Sequence, residues 1–219
     1  MALTSQALAL LAPHLAGKKR VLSFGYPDLV ASAEEIERLF GVRVTRFTDF
    51  GRWHGVDFPL PETLEVFGAI GTQLVCVDIR QSRGVERVVD LNYPCDLGSF
   101  DLVIDAGTIE HCFNIGQAML NAAQAVAVGG HVFHTPPMTM LNHGFYNLNP
   151  TLFHDFYVQN GWTLEVLMGG TRQGKFKVHP TARFAGPAEA LLYCLARREH
   201  DGALAFPTQT KYLDNPNLA

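Results

Sequence analysis

Three aspartates close short apolar runs: Asp78 in LVCVDIR, Asp90 in VERVVDLNYP and Asp105 in FDLVIDAGTIEH. A carboxylate at the end of such a run can accept both hydroxyls of a ribose as charge-assisted bonds. An acid followed by leucine, as in Asp90-Leu91, can meet an adenine amino group while the leucine packs on the ring. Ile79 follows Asp78 at the same place. An earlier run, VLSFG, ends in Phe24-Gly25-Tyr26, where a glycine lets a ligand approach the backbone closely. Beyond Asp105 the chain supplies Gly107, Glu110 and His111. Each acid alone reads equally as a helix N-cap or a solvated turn. Taken with Gly25, the set reads as a nucleotide-like ligand site built from Phe24, Gly25, Tyr26, Asp78, Ile79, Asp90, Leu91, Asp105, Gly107 and Glu110.

A second group of residues could work on an acceptor. MTMLNHGFYNLNPTLFHDFY places Asn142, His143, Tyr146 and Asn147 in one loop ahead of a helical pattern. An imidazole titrates near neutral pH, so His143 is the expected general base, with His111 as a second base or a cofactor contact, or else a helix cap. The competing reading is a loop histidine bonded to backbone. Trp53 and His54 stand in an aromatic-rich stretch, 42–60, expected to form a lid over the acceptor, or else plain surface packing. His131 and His134, three apart in one strand, point to opposite faces. Nine histidines without ordered acidic spacing give no expected metal site.

The elements that must hold these residues alternate between strand and helix. Val21–Gly25, the runs ending at Asp78, Asp90 and Asp105, and HVFHTPP read as strands; WTLEVLMGG and ALLYCLARR add two late ones. Between them, Ser32 and Glu35 form a capping box for a helix closed by Gly41. Another helix is expected to start at Pro61, and a third runs from an Asn114 cap through Val126 to Gly129-Gly130. A fourth opens at Asn149-Pro150 and carries Leu152, Phe153, Phe156 and Tyr157. Continuous apolar strands alternating with helices predict an α/β fold: a single Rossmann-like, doubly wound, mostly parallel sheet with an antiparallel edge strand. The expected organisation is one domain over 1–219, with a docking helix in 1–19, the lid insertion 42–60 and a tail in 200–219 that is either poorly ordered or draped on the surface.

Bulk composition agrees with an ordinary globule. The chain has 219 residues, 47% hydrophobic and 17% charged, with a formal net charge of −4. Its one basic run, Lys18-Lys19-Arg20, is too short for a nucleic-acid footprint. Four scattered cysteines lack metal or redox spacing and read as reduced thiols of a cytoplasmic protein. The apolar N-terminus has its charges after the apolar run and Pro13 interrupting it, so it reads as an amphipathic helix and not as a signal peptide. Leu8, Leu11 and Leu15 form its inward stripe, and no stretch has the ~20 apolar residues that span a membrane.

Several of these phrases together resemble the class I S-adenosylmethionine-dependent methyltransferases: CVDIR, VVDLNYP, FDLVIDAGTIEHCFN…LNAAQAVAVGGHVFHTPP and the late strand pair, covering about Arg20 to Arg198. The resemblance implies S-adenosylmethionine as cofactor, with Asp78 on the ribose, Asp90 and Leu91 about the adenine and Gly25 beside the methionine part. Gly107, Glu110 and His111 would line the methyl-transfer mouth. It implies methyl transfer to a small-molecule acceptor such as a sugar or secondary-metabolite hydroxyl, with no nucleic-acid or membrane partner and a homodimer left open. The glycine loop departs from the family's V-L-D-x-G-x-G-x-G: Ser23 replaces the acid, Pro27 the second glycine and Leu29 the third. A catalytically silent, methyltransferase-like binding or scaffold protein is the alternative. A nicotinamide oxidoreductase would need the glycine-rich pyrophosphate turn that this chain lacks.

Overall fold

The structure, a computed structural model, describes residues 1–213. Eight strands form its main sheet: β1 (Arg20–Phe24), β2 (Gln73–Asp78), β3 (Arg87–Val88), β4 (Phe100–Asp105), β5 (Val126–His134), β6 (Thr163–Thr171), β7 (Gly174–Lys177) and β8 (Leu191–Arg197). Their spatial order is β7-β6-β8-β5-β4-β1-β2-β3. The five strands β3, β2, β1, β4 and β5 run parallel, and β8, β6 and β7 continue the sheet antiparallel. The expected antiparallel edge is thus a three-stranded wing, because the Gly-rich stretch after Thr171 folds back as β7.

Five helices of seven residues or more cover the sheet: α1 (Ser5–Leu15), α2 (Ala33–Phe40), α3 (Thr63–Ala69), α4 (Ile115–Gln124) and α5 (Pro150–Gln159). The period-2 alternation of the strands sorts their side chains between two cores. Leu22, Phe24, Val103 and Val132 pack with Ala118 and Met119 of α4 and Phe153 and Tyr157 of α5. Val21, Leu102, Ile104 and Phe133 pack with Leu8 and Leu11 of α1, Ile36 of α2 and Phe67 of α3.

Local signals held where the chemistry is short-range. The Ser32–Glu35 capping box is formed in both directions, and Gly41 closes α2 at φ 67°. Asn114 caps α4 through Gln117 N–H, and Pro150 takes the first turn of α5. Elsewhere tertiary context decided. Pro13 lies inside α1, whose Leu8, Leu11 and Leu15 stay buried in the second core. Helix α3 begins at Thr63, not Pro61, because the Glu62 carboxylate caps it by accepting Leu64 and Glu65 N–H. α4 stops at Gln124; Val126 and Gly129-Gly130 belong to β5, which pairs with β4. VERVVDLNYP yields only the two-residue β3.

One pairing has no sequence precursor. Ala2–Thr4 and Asp28–Val30 form a small parallel pair, register Ala2 with Asp28. The loop that lacks glycines therefore becomes a strand in its own right, tied to the N-terminus. Residues 42–60 hold a 3-10 turn, Asp49–His54, and a two-residue pairing of Phe47–Thr48 with Leu60–Pro61. Of the expected tail, Thr210–Leu213 is a single helical turn bonded to Asp155; 214–219 lie outside the described residues.

Candidate active site at the β1/β4 switch

From β1 the chain winds outward to β2 and β3, then crosses back to β4 on the other side of β1. Ligands of open α/β sheets bind beyond the carboxyl ends of the strands at that reversal. Two turns meet there. Gly25 follows β1 at φ 74° and donates its N–H to Val77 O at 2.6 Å. The turn after β4 crosses to it, with Thr108 Oγ1 donating to Phe24 O at 2.8 Å.

Gly25 is a cradle already filled. A Cβ built on it would stand 1.6 Å from the Met1 methyl and 2.6 Å from its sulfur, so the Met1 thioether lies directly against the glycine. Met1 O in turn accepts Asp28 N–H, and Ala2 N donates to Ala106 O. Tyr26 is buried with its phenol on the Glu62 carboxylate, and burial and that carboxylate hold its pKa well above the ordinary tyrosine value. Phe24 is fully buried and its side chain belongs to the core.

Asp78 ends β2 half-buried, and its carboxylate receives a single backbone N–H, from Arg80 at 3.3 Å. The exposed Ile79 lies beside it. Asp90 is exposed and caps Asn92 through one oxygen. Leu91 is corrected: its side chain packs in the first core instead of lying open to a ring.

Asp105 is corrected too. Fully buried, it receives Thr108 and Ile109 N–H on one oxygen and bonds His134 Nδ1 at 2.8 Å with the other. His134 Nε2 then meets the Tyr157 hydroxyl at 2.6 Å. This buried Asp105–His134–Tyr157 chain fixes the turn from behind and offers no atom to a ligand.

The turn it fixes presents Glu110, also fully buried, with neither carboxylate oxygen bonded among the described residues. Burial first, and the Asp105 charge second, push its pKa up to about 8. His111 Nε2 stands 3.8 Å and His143 Nε2 3.6 Å from Glu110 Oε1, and the two rings are 5.4 Å apart. Burial, then His143, lower the His111 pKa. Gly107 and Gly144 make room for the acid: a Cβ on Gly107 would lie 3.0 Å from Glu110 Oε1, and one on Gly144 2.8 Å from Glu110 O. Phe145 N–H donates to Glu110 O at 2.9 Å, which clamps the loop to the turn, and Asn142, just before His143, takes φ 61°.

The other expected acceptor residues divide. Tyr146 donates to Phe113 O and Asn147 Oδ1 accepts Met140 N–H, so both shape the His143 loop from within. Trp53 and His54, expected as acceptor contacts, lie in the 42–60 segment. Trp53 is 84% exposed. His54 is bonded to Asp28 at 2.8 Å, where Arg83 also binds at 2.7 Å while stacking 3.3 Å from the Phe50 ring centroid. Sequence reasoning missed Met1, Asp28 and Arg83, none of which carries a motif.

No family model matches the chain, and no curated protein matches it. Solved structures do resemble it. TehB from Haemophilus influenzae aligns with a TM-score of 0.52 at 11% identity, over 87% of this chain and 61% of that one. The N-methyltransferase NodS from Bradyrhizobium japonicum WM9 gives 0.50 at 13% identity, over 90% and 94%. The O-MT segment of StiE gives 0.51 at 12% identity, over 90% and 74%. The chain thus spans about three fifths of TehB. At such identities the likeness establishes a shared fold and nothing finer.

Proposed function

We propose that this chain, with its class I methyltransferase fold, transfers a methyl group from S-adenosylmethionine to a hydroxyl of a small molecule. The observation that carries the reading is the meeting, at one sheet reversal, of a glycine cradle, a free-sided aspartate and an acid–imidazole cluster. The cradle fits a methionine end, since it accepts the thioether of Met1. Asp78, with one backbone donor on its carboxylate, has oxygens to spare for ribose hydroxyls.

When bound, S-adenosylmethionine supplies an electrophilic methyl on a sulfonium. Methyl transfer is an in-line displacement, so this chain's residues mainly align partners, exclude water and dispose of the acceptor's proton. Gly25 and Asp78 hold the cofactor; the exposed Asp90 reaches toward its base. Glu110, His111 and His143 form the acceptor wall, and His143, on the outer loop, acts on the acceptor and not on the cofactor. Calorimetry with S-adenosylhomocysteine, followed by methyl-labelled S-adenosylmethionine against a panel of hydroxylated small molecules, tests this. Saturable binding and label in one acceptor class are expected. A chain that binds neither nucleoside is not this enzyme.

A further inference from the structure

Glu110 sets a problem that the fold does not solve internally. A carboxylate fully shielded from solvent, with no hydrogen-bond donor on either oxygen among the described residues, is costly unless something else meets it. His111 and His143 present imidazole nitrogens to the same oxygen, at 3.8 and 3.6 Å. Those separations are too long for hydrogen bonds. They match the edge of a ligand polyhedron, since two ligands each about 2.1 Å from a cation in tetrahedral array stand about 3.4 Å apart. All three ligand atoms lie within 4.8 Å of one another. The spacing in sequence hid this set, because His143 comes from a loop folded back onto Glu110 by the Phe145–Glu110 bond.

A comparison within the molecule sharpens the point. His14, His131 and Glu165 are equally close, yet Glu165 is already met by Arg197 at 3.0 Å and by His131 at 3.3 Å. Among the described residues no Lys or Arg side chain pairs with Glu110, and the Met1 ammonium acts on it only from beyond salt-bridge distance.

We propose that Glu110, His111 and His143 bind a first-row divalent cation of the manganese-to-zinc series, with a position left open for a hydroxyl oxygen of the acceptor. Two imidazoles and one carboxylate suit those ions, and three protein ligands leave coordination free for substrate. The acceptor part of this inference rests on the methyl-transfer reading above; the cation site itself does not. Coordination lowers the pKa of a hydroxyl as it does that of water. The O–H proton leaves to solvent, the oxygen keeps its electron pair for the new carbon–oxygen bond, and the carbon–sulfur bond breaks toward S-adenosylhomocysteine. His143 then serves the acceptor as a ligand that holds it through the cation.

Cobalt(II) titration of chelator-treated protein, followed by calorimetry and visible absorption, tests the site, with S-adenosylhomocysteine binding measured in parallel. One Co²⁺ per chain is expected, with Glu110→Gln and His143→Ala each weakening it about 100-fold or more, beyond the usual loss for an outer-shell partner. His14→Ala should leave Co²⁺ binding unchanged. His143→Ala lies on an outer loop and keeps the test valid should Glu110→Gln misfold. Absence of binding up to about 1 mM, an affinity of only some 4 kcal/mol, overturns the proposal, as does loss of binding in His14→Ala alone. Co²⁺ bound through the triad by a chain that ignores S-adenosylhomocysteine would uphold the site and sink the methyltransferase reading; the reverse result would do the opposite.

Discussion

The Met1 thioether lies against Gly25, its methyl only 1.6 Å from where a β-carbon would stand. Gly25 is buried as a result, at the place where the proposed cofactor's methionine end belongs. Two like groups cannot share one cradle, so cofactor binding has to displace Met1. Unseating a half-buried methionine side chain costs roughly 1.5 kcal/mol, the lower end for a large apolar side chain. Met1→Ala, made behind a short leader, should therefore bind S-adenosylhomocysteine about tenfold more tightly. Its melting temperature should fall at the same time. Opposite signs in the two measurements are the signature; weaker binding would place Met1 among the cofactor's supports.

Asp78→Ala should weaken S-adenosylhomocysteine by about 1.5–3 kcal/mol, the usual size for hydrogen bonds to a charged group. The half-buried carboxylate makes one hydrogen bond, to Arg80 N–H, among the described residues, so the melting point should hardly move. Calorimetry and a thermal scan on the same sample check both halves. Unchanged affinity would remove Asp78 from the ribose.

The parts of this fold that the sequence announced are those governed by local pattern. Apolar runs marked β1, β2, β4 and β5, and caps such as Ser32 and Asn114 marked helix starts, because a cap bonds within three residues of itself. The acid at the end of β4 was equally legible, but not its partners. Asp105 is turned inward by His134 and Tyr157, 29 and 52 residues further on, a choice made by packing. The same holds for Leu91, which the first core claims. The loop that departs from the family's glycine pattern is in the structure a strand paired with Ala2–Thr4. No spacing rule connects residue 2 to residue 28.

Residues 42–60 were expected to close over the acceptor, and the structure shows what holds them: Asp28 receives His54 at 2.8 Å and Arg83 at 2.7 Å, with Phe50 under the guanidinium. Removing one member of a nearly buried charge cluster leaves the others unpaired, which costs about 3 kcal/mol. Asp28→Asn should thus speed amide exchange across 42–60 sharply while β8 amides stay protected. Uniform acceleration across both would mean that the clamp supports the whole fold and no separate segment.

His143→Ala should lower turnover by about 10²–10⁴-fold, the range for a group that manages the acceptor's proton. Affinity for S-adenosylhomocysteine should stay within twofold or so of the parent, because the proposed reading sets His143, against Glu110, on the acceptor and not on the cofactor. Steady-state kinetics and calorimetry separate the two. Wild-type turnover would exclude His143 from the reaction, and lost nucleoside binding would move it to the cofactor half.

Glu110 should make the metal-free protein less stable as pH rises. Its folded pKa is raised to about 8 from a reference of 4.5, by burial and then by Asp105. Between those values the folded chain keeps a proton that the unfolded chain has released. Unfolding then releases protons, and stability falls by at most about 1.4 kcal/mol per pH unit across the window. Below pH 4.5 both states are protonated and above pH 8 both are ionised, so the slope vanishes at either end. Glu110→Gln keeps the shape of the neutral acid and cannot ionise. In chelator, denaturation curves at pH 5, 6, 7 and 8 should show parent and variant close together at pH 5. By pH 8 the variant should be the more stable by a few kcal/mol, since the whole penalty of a buried, unpaired carboxylate is then present in the parent alone. A bound divalent cation should close that gap, as it would pair the charge. Parallel curves for parent and variant at all four pH values would show that Glu110 ionises freely, with water or a donor reaching its carboxylate.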